Sequence, residues 1–150
     1  MWLDAALAYL HFTAVFVLFA FLTVEVMLAR GELDAGAVGM LARVDRWYVG
    51  AAVVALATGF SRAAWGAKGW AFYAGDWVFW AKVLSFAIVA LLSIAPTRAF
   101  LRWRRRIDAE PAFVVPEGER KRMRRHLMWE LHGAALIPVL AVMMSRGLLR

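Results

Sequence analysis

Cysteine is absent from the 150 residues, which excludes disulfides, thiolate metal centres and cysteine-held iron–sulfur clusters. Acidic side chains are also few, 11 Asp and Glu against 18 Lys and Arg, and histidine occurs only three times. There is no nucleotide-binding glycine loop, no HExxH and no Ser/His/Asp arrangement. Lys68, between Gly66 and Gly69, has neither P-loop spacing nor a strand before it. No internal repeat and no low-complexity tract occurs.

What the chain does have is apolar length. Its hydrophobic fraction is 63% and its mean hydropathy +0.63, well above the ~45–50% apolar content of soluble domains. Four apolar stretches cover approximately residues 4–29, 44–65, 77–101 and 127–149. Each exceeds the ~20 residues a helix needs to cross a ~30 Å hydrocarbon core. The expected fold is all-α, a polytopic four-transmembrane-helix bundle forming a single domain over residues 1–150, with no room for a soluble domain beside it. The first stretch reads as a span and not as a signal peptide. It carries Asp4 where a basic n-region belongs and runs far past a ~7–15-residue h-region.

Charge is distributed unevenly along this frame. The gap at 98–126 holds Arg98, Arg102, Arg104, Arg105, Arg106, Arg120, Lys121, Arg122, Arg124 and Arg125. Arg30, Arg43 and Arg46 fall on the same side, leaving Arg62, Lys68, Lys82, Arg146 and Arg150 opposite. Basic loops resist translocation, so thirteen against five predicts a cytoplasmic 98–126 loop and two extracytoplasmic termini. The pI of about 10.8 is therefore read as topology, and nucleic acid is not an expected partner. The block Arg120, Lys121, Arg122, Arg124 and Arg125 is expected to meet anionic lipids, at ~1 kcal/mol per basic residue near the surface, or a docking protein. Pro116 with Glu117 and Glu119 marks a helix start that carries this block. Residues 30–43 read as a turn broken by Gly31, Gly36 and Gly39. Trp65, Trp70, Phe72, Tyr73, Trp77 and Trp80 form an interfacial aromatic belt, or the roof of a pocket.

Ala51, Ala55, Gly59 and Ala63 recur every four residues, a ridge that lets a neighbouring helix or a second copy of the chain approach closely. Pro96 and Pro138 are tolerated kink points inside spans.

Ionisable residues within spans are costly and mark candidate sites. One layer, towards the outer surface, holds His11, Arg62 and Lys82, with Met143 and Met144 placed at the same depth by the outward run of the last span. A histidine, two cations and a thioether suit an anionic, planar ligand. The alternative is that both cations snorkel to headgroups and His11 bonds a backbone carbonyl. An inner layer holds Glu25, Asp45, Arg46, Glu130 and His132. His11, Leu18 and Glu25 share one helix face, so Glu25 points inward and is expected to pair with Arg46 or Arg98. Glu25, Arg46 and Glu130 are read as structural ion-pair residues, with a proton relay as the alternative for Glu25. His11 and His132 are separated by roughly 13 Å of helix rise, which rules them out as two ligands of one iron. His11 with Met143 or Met144, or His11 alone, remains open as haem ligation. His126 and Glu130 lack a third metal ligand.

With these residues placed, the chain resembles a bacterial family of predicted four-helix membrane proteins of unknown function over nearly its whole length. The resemblance is carried by Tyr9-Leu10-His11, Thr58-Gly59-Phe60-Ser61-Arg62, Phe79-Trp80-Ala81-Lys82, and Gly66-Ala67-Lys68-Gly69 followed by Phe72-Tyr73. It implies a multi-pass protein of the bacterial inner membrane. More distantly, the early histidine and the Trp80-Ala81-Lys82 element are similar to HemJ-type protoporphyrinogen oxidases and CopD-like membrane proteins. That likeness implies haem b or a porphyrin held by His11 and Lys82, with His11 as the iron ligand. The chain departs from the HemJ type at Leu91-Leu92-Ser93-Ile94-Ala95, where that type carries a further histidine. Two functions are thus expected to compete: a haem- or porphyrin-binding redox protein, and a cofactor-free transporter subunit or interaction module with a lipid-binding basic loop.

Overall fold

A computed structural model describes residues 2–147; Leu149, the end of the expected fourth span, and Arg150 lie outside the described residues. Five helices follow in order: α1 (Trp2–Leu28), α2 (Ala35–Trp65), the short α3 (Trp70–Ala74), α4 (Trp77–Ala109) and α5 (Glu117–Ser145). No strand occurs among the described residues. α1, α4 and α5 are long and apolar enough to cross a membrane. α2 is equally long, but Arg43, Asp45, Arg46, Arg62 and four glycines interrupt its apolar run. Large side chains such as Phe16, Val53, Leu91 and Trp129 stand exposed along the helices. In water such a surface would be an aggregation hazard; in lipid it is the solvated face.

The long helices form a ring in which α1 packs on α2 and α5, and α4 packs on α5 and α2. α1 and α4 are therefore diagonal, as are α2 and α5. The ridge of small residues on α2 meets α1: Ala51, Ala55 and Ala63 are buried, and a side chain added at Gly59 would sit 3.1 Å from His11 Cε1.

Two elements run further than composition suggests. The expected turn at 30–43 is helical from Ala35, because the Asp34 side chain accepts from Ala37 N at 2.8 Å and caps the start. Gly36 and Gly39 each weaken that turn by about 1 kcal/mol, which burial of Val38 and Leu41 offsets. α4 likewise continues to Ala109, well past the expected span end at 101. Pro96, Phe100, Trp103 and Ile107 form a buried stripe at helical spacing beneath the exposed Arg102, Arg104, Arg105 and Arg106. Phe100, Trp103 and Ile107 join Leu22, Val26, Leu33, Leu127 and Val115 in the buried core, at the end of the bundle carrying the basic loop.

Candidate functional site

The end of the bundle nearer α3 is built around His11. Its Nδ1 lies 3.0 Å from the Ala55 carbonyl oxygen and 3.2 Å from Thr58 Oγ1. A carbonyl can only accept, so Nδ1 carries the proton, and Nε2 of the neutral ring is left with a free lone pair. Gly59, one turn above Ala55, leaves the space the imidazole occupies.

His11 and Lys82, on diagonal helices, line one cavity of about 70 Å³ together with Gly59, Phe60, Phe79 and Ile137. The Lys82 ammonium stands 5.5 Å from the Phe79 ring centre, close enough for cation–π attraction. Arg62 approaches from α2, its guanidinium 5.3 Å from the Phe12 ring, and its buried Nε has no hydrogen-bond partner among the described residues. Both cations act electrostatically on His11, and buried Asp76, which caps α4 through Val78 N at 2.9 Å, acts on Lys82. Phe79 is itself enclosed by Phe60, Trp70, Tyr73 and Trp80 at centroid distances of 5.3–6.2 Å. Part of the aromatic cluster therefore roofs the cavity, while Trp65 and Trp77 face outward.

The cavity shares Val15, Ala55, Leu56, Phe86 and Ile137 with a larger groove of about 440 Å³ between α2 and α4. Its walls are almost wholly apolar, and the exposed side chains of Val53, Leu56 and Ile94 border it. At its far end stand Tyr48, Thr97 and Arg98. Neither Met143 nor Met144 lines either space, which corrects the placement expected from span lengths. The α4–α5 register explains the difference. Leu92 O accepts from His126 Nε2 and Val89 packs on Gly133, so Lys82 is level with the turn at 136–140 and both methionines lie nearer the chain's end. Ile137 takes the place expected for them.

The other layer departs further from the ion pairs predicted for it. Arg46 and Arg98 are exposed, and the ion pairs among the described residues are Arg102–Glu119, Arg104–Asp108 and Lys121–Glu117, all at the surface. Glu25, Asp45 and Glu130 are instead buried together at 1%, 3% and 0% exposure. Glu130 Oε1 accepts from the Tyr48 hydroxyl at 2.8 Å, and Asp45 Oδ1 from Thr97 Oγ1 at 2.8 Å. Arg46 and Arg98 lie at the depth of Glu25, but α2 and α4 turn them to the surface, and α2 turns Tyr48 inward. The Asp45–Tyr48 spacing, i to i+3 on one face, was the available signal. His132 is exposed and bonds its own helix at Met128 O.

At the basic end, Lys121, Arg122, Arg124 and Arg125 are exposed, while half-buried Arg120 donates to Gly31 O at 3.0 Å and so ties α5 to the α1–α2 connection. Glu119 Oε2 accepts from Trp103 Nε1 at 2.8 Å, a bond that holds its carboxyl below the usual carboxylate range, helped by Arg102.

A family model described as predicted membrane protein (DUF2214) matches residues 3–148. No curated protein and no solved structure matches, so the likeness to HemJ-type and CopD-like proteins rests on His11 and the Trp80-Ala81-Lys82 element alone.

Proposed function

The chain belongs to this family of predicted membrane proteins, and from that premise we propose that it binds haem b or a porphyrin in the half of the bundle nearer α3. The observation that carries this reading is His11. A histidine whose Nδ1–H is held by a backbone carbonyl is oriented as metal-ligating histidines are, with Nε2 bare. The 70 Å³ cavity alone is below the ~300–1,000 Å³ of small-molecule sites, but the adjoining 440 Å³ groove brings the space into that range. His11 Nε2 would hold the iron, Lys82 and Arg62 the propionates, and the apolar walls of α2 and α4 the macrocycle. A bound haem supplies one-electron chemistry at iron, its potential set by the axial ligand and by burial.

In this reading α2 is the fourth span, its polar residues facing the bundle interior or the headgroups. The protein lies in the bacterial inner membrane, with both termini outside and the basic loop in the cytoplasm, on the Lys/Arg asymmetry. The exposed basic block supports a second role, contact with anionic lipid, whether or not a cofactor is present. Absorption spectroscopy of the detergent-purified protein, before and after haem supplementation, tests the first role. A Soret band is expected. His11→Ala abolishes it while the folded protein remains extractable, and Lys82→Ala weakens retention without removing the iron ligand. Protein that stays colourless after supplementation leaves only the cofactor-free reading.

A further inference from the structure

The three carboxyl groups buried in the inner layer come from three different helices and have no cation among them. Glu25 is contributed by α1, Asp45 by α2 and Glu130 by α5. Glu25 interacts electrostatically with both others, so it points into the cluster, yet its Oε1 is sealed from solvent without a hydrogen-bond partner. Glu130 Oε2 is in the same condition. Every neighbouring element leaves the deficit uncorrected. On α2, Tyr48 and Asp45 face the cluster and Arg46 is exposed; on α4, Thr97 faces Asp45 and Arg98 is exposed. On α5, the His126 ring is committed to Leu92 O and His132 is exposed. Removing an ionised carboxylate from water costs several kcal/mol even after relaxation, and like charges placed together add to that. Something positive must therefore occupy the cluster.

Two observations decide what. The described residues contain no group of three acidic or imidazole side chains arranged to hold a metal ion. The adjoining groove touches Tyr48 and Thr97 but none of the three carboxyl groups, so a cationic ligand seated in it would not meet them. A proton needs neither coordination geometry nor volume. We propose that Glu25, Asp45 and Glu130 form an intramembrane proton-binding site that exchanges with the α2–α4 groove through the Tyr48 and Thr97 hydroxyls. A proton delivered from the groove to the Tyr48 oxygen is matched by transfer of the phenolic proton to Glu130 Oε1. Tyrosine ends neutral and one carboxylate has become a carboxyl. The carboxyl cluster is separate from the His11 cavity, and the two communicate only through the α2–α4 groove.

Infrared spectroscopy of the full chain reconstituted in liposomes tests this, because a protonated carboxyl has a carbonyl stretch distinct from carboxylate bands and sensitive to D2O. The band is expected at neutral pH. Glu25→Gln and Glu130→Gln, which mimic the protonated shape, should shrink it while thermal stability stays at or above wild type. Tyr48→Phe should slow its exchange with D2O. A wild-type spectrum without the band overturns the proposal whatever the variants do. A band of full intensity in Glu25→Gln, Asp45→Asn and Glu130→Gln alike places the proton elsewhere and overturns it equally.

Discussion

At the scale of single residues, the structure turns on small spaces left for large side chains. Gly59 admits the His11 ring; a methyl group there would meet Cε1 at 3.1 Å, tighter than ordinary van der Waals contact. Gly59→Ala is therefore expected to push the imidazole off the Ala55 carbonyl and weaken ligand retention in the cavity. Titrating the variant with haem and following the absorption spectrum checks this; retention equal to wild type would separate the ring's position from binding. Trp103 makes a second residue-scale case, outside the apolar spans. Its indole N–H stabilises ionised Glu119, so the folded carboxyl ionises at lower pH than the unfolded one. The contribution is thus present at neutral pH and lost as pH falls through the folded-state value, which lies below the unfolded one. Trp103→Phe should cost about 1 kcal/mol at neutral pH, below the ~1.5–3 kcal/mol of a bond to a charged group because Glu119 is partly exposed. The wild-type advantage in thermal unfolding should narrow in acid.

At the scale of elements, the α1–α2 seam is set by alanine and glycine, and α1 lies closely along it. Lipid tails are as apolar as leucine, so helices in a bilayer gain most from such close backbone approach. Ala55 is buried at 3% exposure and its carbonyl holds His11, so Ala55→Leu both overpacks the seam and displaces the imidazole. A loss of about 1–3 kcal/mol is expected. Ala57→Leu, on an exposed position of the same helix, should be nearly neutral. Thermal unfolding of the two variants in the same detergent measures the contrast. Equal losses would place α1 elsewhere than on this ridge.

At the scale of the whole molecule, one end is basic and the other aromatic, with a small cavity beside His11. The stripe of Phe100, Trp103 and Ile107 extends the core beyond the apolar part of α4 and gives the arginines a rigid base. Arg120→Gln combined with Lys121, Arg122, Arg124 and Arg125→Gln should reduce the anionic lipid that co-purifies with the protein, and high salt should do the same to wild type. Mass spectrometry of extracted lipid reads both effects; retention indifferent to charge and salt would point to a protein partner. A reporter active only in the cytoplasm should be silent when fused at the C-terminal end and active when inserted near Pro111 in the basic loop.

The sequence by itself determined the helical class and the basic character of one loop; of the four spans it suggested, three helices are long and apolar enough to cross a membrane. Each follows from composition read along a single helix, where apolar length and charge count suffice. Helix rise alone puts His11 and Lys82 at matching depths, and they line one cavity. Which face each helix turns to which neighbour was not legible, and the site depends on it. Met143 and Met144 drop out because the α4–α5 register, fixed by His126 on Leu92 and Gly133 on Val89, is a packing result that span ends do not encode. Glu25 lost its expected arginine for the same reason: α2 rotates Arg46 to the surface and Tyr48 inward. Sequence distance can place a charge at the right depth, but only the packing of four helices decides whether it faces a carboxylate or the bilayer.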